Sequence, residues 1–371
     1  DWSSDVCSSD LGEGENRKIN YYAVDSVGNE TEVRPYKNIV FDFEIPKIIE
    51  KNGYKLASEY KKNDAAKVIL SLSDTNALKP NEIIVDEDGN QITVINAVQL
   101  EIYKDGEKIN QENWVDYGIS VEYGDITVPE MQENTYYMLP DKKEIKVSSM
   151  DVTISFTTDG TQDGEYTIKA NAVDIAGRKS ESITLTTTID GTIPSFKDDL
   201  TIKGDEGYKT GKYYADSTLK VAGSYEENGT GMDTLYYYLK RTGETISFDD
   251  SDLTKVDLSK ISGIDSYSFK KGSNEFSITV EDFDDTKNEN TNTLYFQAVD
   301  SVGNMSIATK QNINVDTAKP ELETDGLDSA YYNEGTPSLT VSAKDYNLSE
   351  LNVIIRDDNN ATLSASDYEE A

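Results

Sequence analysis

Carboxylates are the reactive side chains that this sequence holds in excess. Its 371 residues include 70 aspartates and glutamates against 35 lysines and arginines, and no histidine, for a formal net charge of −35. Without histidine, the commonest general base and a common zinc ligand are both missing. Carboxylates instead suit Ca²⁺, a hard cation that takes about six to eight oxygen ligands. The negative charge also disfavours binding to nucleic acid and to anionic membranes.

One acidic turn recurs along the chain. The heptapeptide Ala-Val-Asp-Ser-Val-Gly-Asn occupies residues 23–29 and 298–304, and a variant, Ala-Val-Asp-Ile-Ala-Gly-Arg, occupies 172–178. A second aspartate follows each turn at near-constant spacing, with proline four residues beyond it; these aspartates are Asp42, Asp190 and Asp316. Such constant spacing indicates an internal repeat. The simplest interpretation is structural: the aspartate accepts hydrogen bonds from the turn backbone, and Gly and Asn tolerate the positive φ that closes a hairpin between the last two strands.

The segments beside these turns alternate between apolar and polar residues. Val68, Leu70 and Leu72 show this period of two, as do Ile168 and Ala170, which predicts strands with one buried face. The sequence Lys-Asp-Gly-Glu at 104–107 is typical of a tight hairpin turn. No sustained helical period is present. About seven short strands in each repeat, joined by turns, predict an antiparallel β-sandwich.

Together these motifs resemble a known family. A strand, the heptapeptide, a second strand and Asp-x-x-x-Pro precede a Tyr-Tyr segment at residues 213–215 and again at 331–333. This order is similar to the bacterial immunoglobulin-like repeats of large exported surface proteins, and the resemblance covers residues 12–371. It implies an all-β fold of tandem antiparallel immunoglobulin-like β-sandwiches. A fold of this kind does not by itself define a function.

The repeats divide the chain into five predicted segments. Residues 1–11 resemble the translation of a short-read sequencing adapter, and we expect them to be artefactual and disordered. Without them the chain has no cysteine, and Trp114 is its only tryptophan. The other segments are a C-terminal part of a truncated domain (12–45), a domain with an insertion at about 110–150 (46–193), a domain with a smaller insertion at about 246–275 (194–319), and an N-terminal part of a truncated domain (320–371).

Strand direction predicts where the acidic residues meet. Because successive strands alternate in direction, the loop after the second strand and the turn before the last strand lie at the end where the linker enters. Three sets of oxygen ligands would then form possible Ca²⁺ sites at domain junctions: Asp42, Glu44, Asp74, Asn76 and Asp174; Asp190, Glu226, Glu227, Asn228 and Asp300; and Asp316, Asp345 and Asn347. The alternative, turns with a purely structural role, stays open. No other cofactor is required.

Aromatic residues offer a second kind of candidate site. Trp114, Tyr136 and Tyr137 lie in the first insertion and would suit stacking on a sugar ring or on a protein ligand. The alternative is packing on the sheets, where tyrosine buries its ring and keeps its hydroxyl wet. Tyr166 stands six residues before Ala172 near the start of its strand, as the tyrosine-corner residue of such sandwiches does. The second repeat has Asn292 at this position.

Together with these features, the resemblance to exported surface repeats implies a non-catalytic stalk or adhesive spacer, located outside a bacterial cell or on its surface. Its partners would be the neighbouring immunoglobulin-like domains of the same chain and, in addition, a glycan or protein ligand. Two alternatives remain: a ligand-binding module, and an accessory part of a larger secreted enzyme. No pair of carboxylates stands out as catalytic. No apolar run approaches the length of about 18 residues that a membrane-spanning helix needs.

Overall fold

The computed structural model describes residues 14–85, 91–124, 143–145, 148–202, 212–285, 292–326, 338–356 and 358–362. The predicted artefactual segment and the pair Tyr136 and Tyr137 lie outside these ranges. The chain divides into two compact units, residues 1–192 and 193–371. Within the described ranges, each unit consists of strands, short 3-10 turns and the loops between them.

The first unit begins with a two-stranded antiparallel sheet and continues into a sandwich. Its strands are β1 (Gly14–Tyr21), β2 (Arg34–Phe41), β3 (Lys47–Glu50), β4 (Glu59–Lys61), β5 (Lys67–Ser73), β6 (Asn81–Val85), β7 (Gln91–Val94), β8 (Val98–Lys104), β9 (Glu107–Ile109), β10 (Ile119–Tyr123), β11 (Lys143–Ile145), β12 (Ser149–Phe156), β13 (Gly164–Ala172) and β14 (Ile183–Asp190). Two 3-10 turns, Gln111–Asn113 and Val115–Tyr117, precede β10.

Two sheets enclose the core of this sandwich. One has the strand order β10-β12-β5-β3 and the other β4-β14-β13-β8-β9. All neighbours are antiparallel except β4, which runs parallel to β14. The alternation predicted for β5 is confirmed, since Val68, Leu70 and Leu72 are buried and pack with Ile154 and Ile168. A small third sheet, β11-β6-β7, is formed by segments that are inserted in the sequence between strands of the sandwich.

The second unit repeats this arrangement. Its strands are β15 (Ser195–Ile202), β16 (Tyr213–Tyr214), β17 (Leu219–Glu226), β18 (Met232–Lys240), β19 (Asp265–Ser268), β20 (Glu275–Val280), β21 (Asn292–Asp300), β22 (Thr309–Val315), β23 (Glu321–Asp325) and β24 (Thr340–Lys344). The sheets are β15-β17-β20, β16-β22-β21-β18-β19 and β23-β24. Again the short strand β16 runs parallel to the last sandwich strand, β22. The predicted all-β fold of tandem immunoglobulin-like sandwiches is confirmed.

Two of the heptapeptide turns join the last two strands of a sandwich, as predicted, and the first copy joins β1 to β2. Their glycines, Gly28, Gly177 and Gly303, have φ values of 89°, 85° and 91°. The asparagine, which also tolerates positive φ, does not adopt it in these turns and acts through its side chain instead. Asn29 Nδ2 donates to Asp25 Oδ2 at 2.6 Å, so the residue closes the turn as a hydrogen-bond donor.

The first unit has the predicted tyrosine corner. The Tyr166 side chain is 1% exposed, and its hydroxyl donates to the Gln162 carbonyl oxygen at 2.8 Å. In the second unit Asn292, fully buried, makes a comparable tie with a different side chain. Its Oδ1 accepts from the Asp284 N–H at 3.0 Å, and its Nδ2 donates to the Asp284 carbonyl at 2.7 Å. Both residues fasten the start of the strand to the loop before it.

Replacing Tyr166 by Phe removes this bond and leaves the Gln162 carbonyl without the hydroxyl donor. We expect the free energy of unfolding of the first unit to fall by about 1 kcal/mol, the usual net value of one hydrogen bond. Urea unfolding followed by tryptophan fluorescence, to which the buried Trp114 contributes, measures this change. Tyr54→Phe, at a residue that is 44% exposed, is the matched control. Equal midpoints for the two variants would contradict a stabilising corner.

Candidate metal centre

Three carboxylates from separate segments meet at one end of the first sandwich. Asp42 precedes β3, Asp74 follows β5, and Asp174 opens the turn between β13 and β14. One carboxylate oxygen from each residue lies within 4.8 Å of the others. The side chains of Asp42 and Asp174 are 2% and 0% exposed, and Asp74 is 9% exposed. We name these three residues the Asp42 cluster. Strand direction alone predicted that they would lie at the same end of the sandwich.

Arg178, the last residue of the variant heptapeptide, reaches into the Asp42 cluster. Its backbone N–H donates to Asp174 Oδ1 at 2.7 Å, and its Nε donates to Asp174 Oδ2 at 3.0 Å. Its Nη2 donates to Asp42 Oδ1 at 2.7 Å and also to the backbone carbonyl of Glu44. The guanidinium therefore ties the segment before β3 to the turn. The sequence showed residue 178 as a departure from the motif, but did not show this contact.

Two carboxylate oxygens of the Asp42 cluster have no hydrogen-bond donor. Asp74 Oδ1 accepts from the backbone N–H groups of Asn76 and Ala77 at 2.9 and 3.0 Å. Asp74 Oδ2 and Asp42 Oδ2 are buried and accept no hydrogen bond. Burial raises the pKa of the Asp74 carboxyl, the two backbone N–H groups oppose that rise, and the Asp42 and Asp174 charges add to it. A cation between these oxygens would supply the missing charge.

The donor set fits Ca²⁺ in chemistry and in span. Carboxylate oxygens are its preferred ligands, and Ca–O distances of about 2.4 Å place two oxygens of one ion at most about 4.8 Å apart. The cluster lies within that limit. Two predicted members take other roles: Glu44 is exposed and its Oε2 accepts from Thr75 Oγ1 at 2.6 Å, while Asn76 contributes its backbone N–H to Asp74.

The second predicted set is partly assembled within the second unit. Carboxylate oxygens of Glu227 and Asp300 lie within 4.8 Å of each other, and both residues are buried. Asp300 Oδ2 accepts from Asn304 Nδ2 at 2.7 Å, which repeats the bond between Asp25 and Asn29. The neighbours of Glu227 in the loop, Glu226 and Asn228, are exposed. Asp190 is a buried residue at the end of β14 in the first unit.

The third predicted set is joined by hydrogen bonds. Asn347 Nδ2 donates to Asp316 Oδ2 at 2.6 Å, and the Asn347 backbone N–H donates to Asp345 Oδ1 at 2.7 Å. All three residues are half-buried. Asn347 thus links the two aspartates through its side-chain amide and its backbone N–H, whereas Arg178 links Asp42 and Asp174 through its side chain.

Trp114 is a core residue rather than an exposed stacking surface. It is 7% exposed and packs against the hydrophobic core of the first unit. It also lines a cavity of about 500 Å³, together with Gln111, Val115, Ile119 and Tyr123. Its Nε1 is buried and donates no hydrogen bond. Any ligand of this residue would therefore have to enter the cavity.

The second insertion covers a sheet. Val256 and Leu258 pack with Tyr295 on the face of β21 that is turned away from the main core, and Tyr236 and Tyr238 pack against this group. As a result, β21 is buried along almost its whole length, on both faces. The tyrosine-rich strand β18 therefore uses these rings for packing.

A buried amide helps to fasten this insertion to the sheet. Gln297, 3% exposed, donates from Nε2 to the carbonyls of Val256 and Ser306 at 2.9 and 2.8 Å. Its Oε1 accepts from the Leu258 N–H at 2.8 Å. In the sequence Gln297 is a polar residue between Phe296 and Ala298, which gives no sign of this role.

Comparisons with known proteins yield only distant likenesses. No family model and no curated protein matches the sequence. Among solved structures, the D00-D0 domain of intimin is 10% identical, with 71% of this chain and 98% of that one covered and a TM-score of 0.30. Titin Ig tandem domains A164-A165 are 12% identical, with 74% and 96% covered and a TM-score of 0.23. The major pilin subunit BcpA of Bacillus cereus is 10% identical, with 80% and 74% covered and a TM-score of 0.18.

These TM-scores are too low to carry an argument, so the fold assignment rests on the strand pairing itself. In the part of the chain that the structure describes, no helix is long and apolar enough to cross a membrane.

Replacing Gln297 by Ala leaves the buried Leu258 N–H without its acceptor and frees two carbonyls. We expect trypsin to cleave after the exposed residues Lys255 and Lys260 about tenfold faster, because an unsatisfied buried donor costs about 1–3 kcal/mol. Limited proteolysis with mass spectrometry measures the rates. Gln311→Ala, on the neighbouring strand β22, is the matched control. Unchanged cleavage in Gln297→Ala would show that apolar packing and the other hydrogen bonds of the insertion, such as that from the Tyr295 hydroxyl to Asp250 Oδ2, hold it without this amide.

Proposed function

We propose that this chain is a non-catalytic spacer of a bacterial surface or secreted protein, a stalk of tandem immunoglobulin-like domains in which Ca²⁺ stiffens the entry to a domain. The Asp42 cluster carries the proposal. Asp42 belongs to the segment before the sandwich, whereas Asp74 and Asp174 belong to its loops. An ion bound by all three would fasten that segment to the domain.

Where the chain leaves each sandwich, an aspartate also fastens it by accepting hydrogen bonds. In the first unit Asp163 Oδ1 accepts from the Gly191 N–H at 2.7 Å, and its Oδ2 accepts from Thr192 Oγ1 at 2.5 Å. In the second unit Asp285 Oδ1 accepts from the N–H and the Oγ1 of Thr317 at 2.7 and 2.8 Å. A hydrogen-bonded tie where the chain leaves each sandwich supports a role that depends on stiffness.

The hydrogen bonds of the buried carboxylates favour a structural role over a catalytic one. Asp174 and Asp300 direct their oxygens to the backbone and side chain of their own turns. Carboxylates so engaged are poor proton donors or nucleophiles, since those roles need an oxygen that can approach a substrate. The surface location follows the resemblance to exported repeats and is part of the same proposal.

Calcium should bind the full chain and raise its melting temperature, and Asp74→Asn should lower the number of bound ions by one. Asparagine keeps an Oδ1 acceptor for the N–H groups of Asn76 and Ala77, so the loop is preserved. A ligand at a hundred times its Kd stabilises the folded state by about 2.7 kcal/mol. Isothermal titration calorimetry and thermal melting measure both effects.

Asp25→Asn is the matched control, because it makes the same change at an exposed aspartate outside the Asp42 cluster, in the heptapeptide position that Asp174 holds in its own copy. It should leave the number of bound ions unchanged. If the wild-type chain gives no heat of binding and no rise in melting temperature, the Ca²⁺ part of the proposal is wrong.

The Trp114 cavity favours a second candidate function, binding of a small glycan. Its volume of about 500 Å³ lies in the range of about 300–1,000 Å³ that is usual for ligand sites. Wild-type binding on a glycan array, lost in Trp114→Phe, would support it. Phenylalanine retains an aromatic ring for the core and removes the indole N–H. An array without signal would exclude a glycan ligand of the set tested.

A further inference from the structure

The last residue of the heptapeptide turn differs between the copies in both charge and reach. Asn29 and Asn304 are neutral, and each donates its amide to the aspartate of its own turn. Arg178 bonds to the corresponding Asp174, but it also extends to Asp42 and to the Glu44 carbonyl. One substitution in the repeat therefore places a permanent positive charge between the turn and the segment before β3.

This positive charge offsets only part of the negative charge of the Asp42 cluster. A guanidinium is protonated at every physiological pH, so Arg178 offsets one of the three carboxylate charges. It occupies Asp42 Oδ1 and Asp174 Oδ2, at 2.7 and 3.0 Å. The oxygens left over are Asp42 Oδ2 and Asp74 Oδ2, both buried and without a hydrogen-bond donor. Asp74 is more than nine-tenths buried and is electrostatically coupled to both partners.

We infer that Arg178 is a built-in cation of the Asp42 cluster, which holds the Asp42 segment against the sandwich without metal and lowers the affinity of the cluster for divalent cations. The inference rests on the proposed function only for the position of the added ion. Two mechanisms act in opposite directions. The guanidinium stabilises the cation-free form by pairing with Asp42 and Asp174, and it repels a divalent ion bound to the same carboxylates.

Arg178→Asn tests this directly, because it places at position 178 the asparagine that the other two copies of the heptapeptide have. The new amide can donate to Asp174 as Asn304 donates to Asp300, so the turn is kept. With a chelator present, we expect the variant to melt a few degrees below wild type. With Ca²⁺ present, we expect its Kd to fall at least tenfold below that of wild type, and the melting temperature to recover.

Two further variants separate charge from geometry. Arg178→Lys retains the positive charge, so its Ca²⁺ affinity should stay within about threefold of wild type. Lys179→Asn removes one positive charge at the exposed neighbouring residue, and it should also leave the Kd within about threefold. Circular dichroism of each chain verifies that the β-structure is intact. If Arg178→Asn is unfolded, Arg178→Gln takes its place.

The outcomes distinguish this inference from the proposed function. Tight Ca²⁺ binding by Arg178→Asn but none by wild type would support the built-in cation and refute a Ca²⁺ ion in the wild-type cluster. Wild-type binding that depends on Asp74 but is no tighter in Arg178→Asn would overturn the inference and leave the proposed function standing. The inference is likewise overturned if Arg178→Asn gains no affinity at all, or if Lys179→Asn gains as much.

Discussion

Burial of the carboxylate in the heptapeptide turn is the constraint on which the rest of each sandwich depends. A buried charge is tolerated only when hydrogen-bond donors or cations satisfy it. Asp174 and Asp300, 0% and 2% exposed, meet this condition by accepting from the backbone of the turn that they open. The turn is thereby locked, and it sets the pairing of the last two strands. Those strands in turn present the acidic end of the domain to the chain that enters it.

The acidic clusters of the two units differ in the group that bridges their carboxylates. Arg178 bridges Asp42 and Asp174 in the first unit, whereas Asn347 bridges Asp316 and Asp345 with a neutral amide and a backbone N–H. Charged and neutral bridges have different consequences: an arginine resists an added cation, and an amide does not. A repeat protein can therefore vary the response to cations from one domain to the next through a single residue.

Much of the fold could be predicted because it follows from local periodicity. The alternation at Val68, Leu70 and Leu72 places these side chains on one face of any strand, and that face becomes the core. Alternating strand direction likewise predicted that Asp42, Asp74 and Asp174 would gather at one end. The tyrosine corner at Tyr166 followed from its position relative to the repeat.

What the sequence by itself determined was therefore the main alternating strands, their inward faces, the heptapeptide turns and the end at which carboxylates accumulate, but not the short strands β4 and β16, which pair in parallel. Only the tertiary structure decided that Trp114 is a cavity wall, that Gln297 fastens the second insertion, and that Arg178 reaches Asp42. The last contact spans 136 residues of chain. The physical reason is the range of the interaction: period and turn chemistry act between near neighbours, while these contacts depend on how distant segments pack. A long side chain such as arginine has several partners within reach, and the packed fold selects among them.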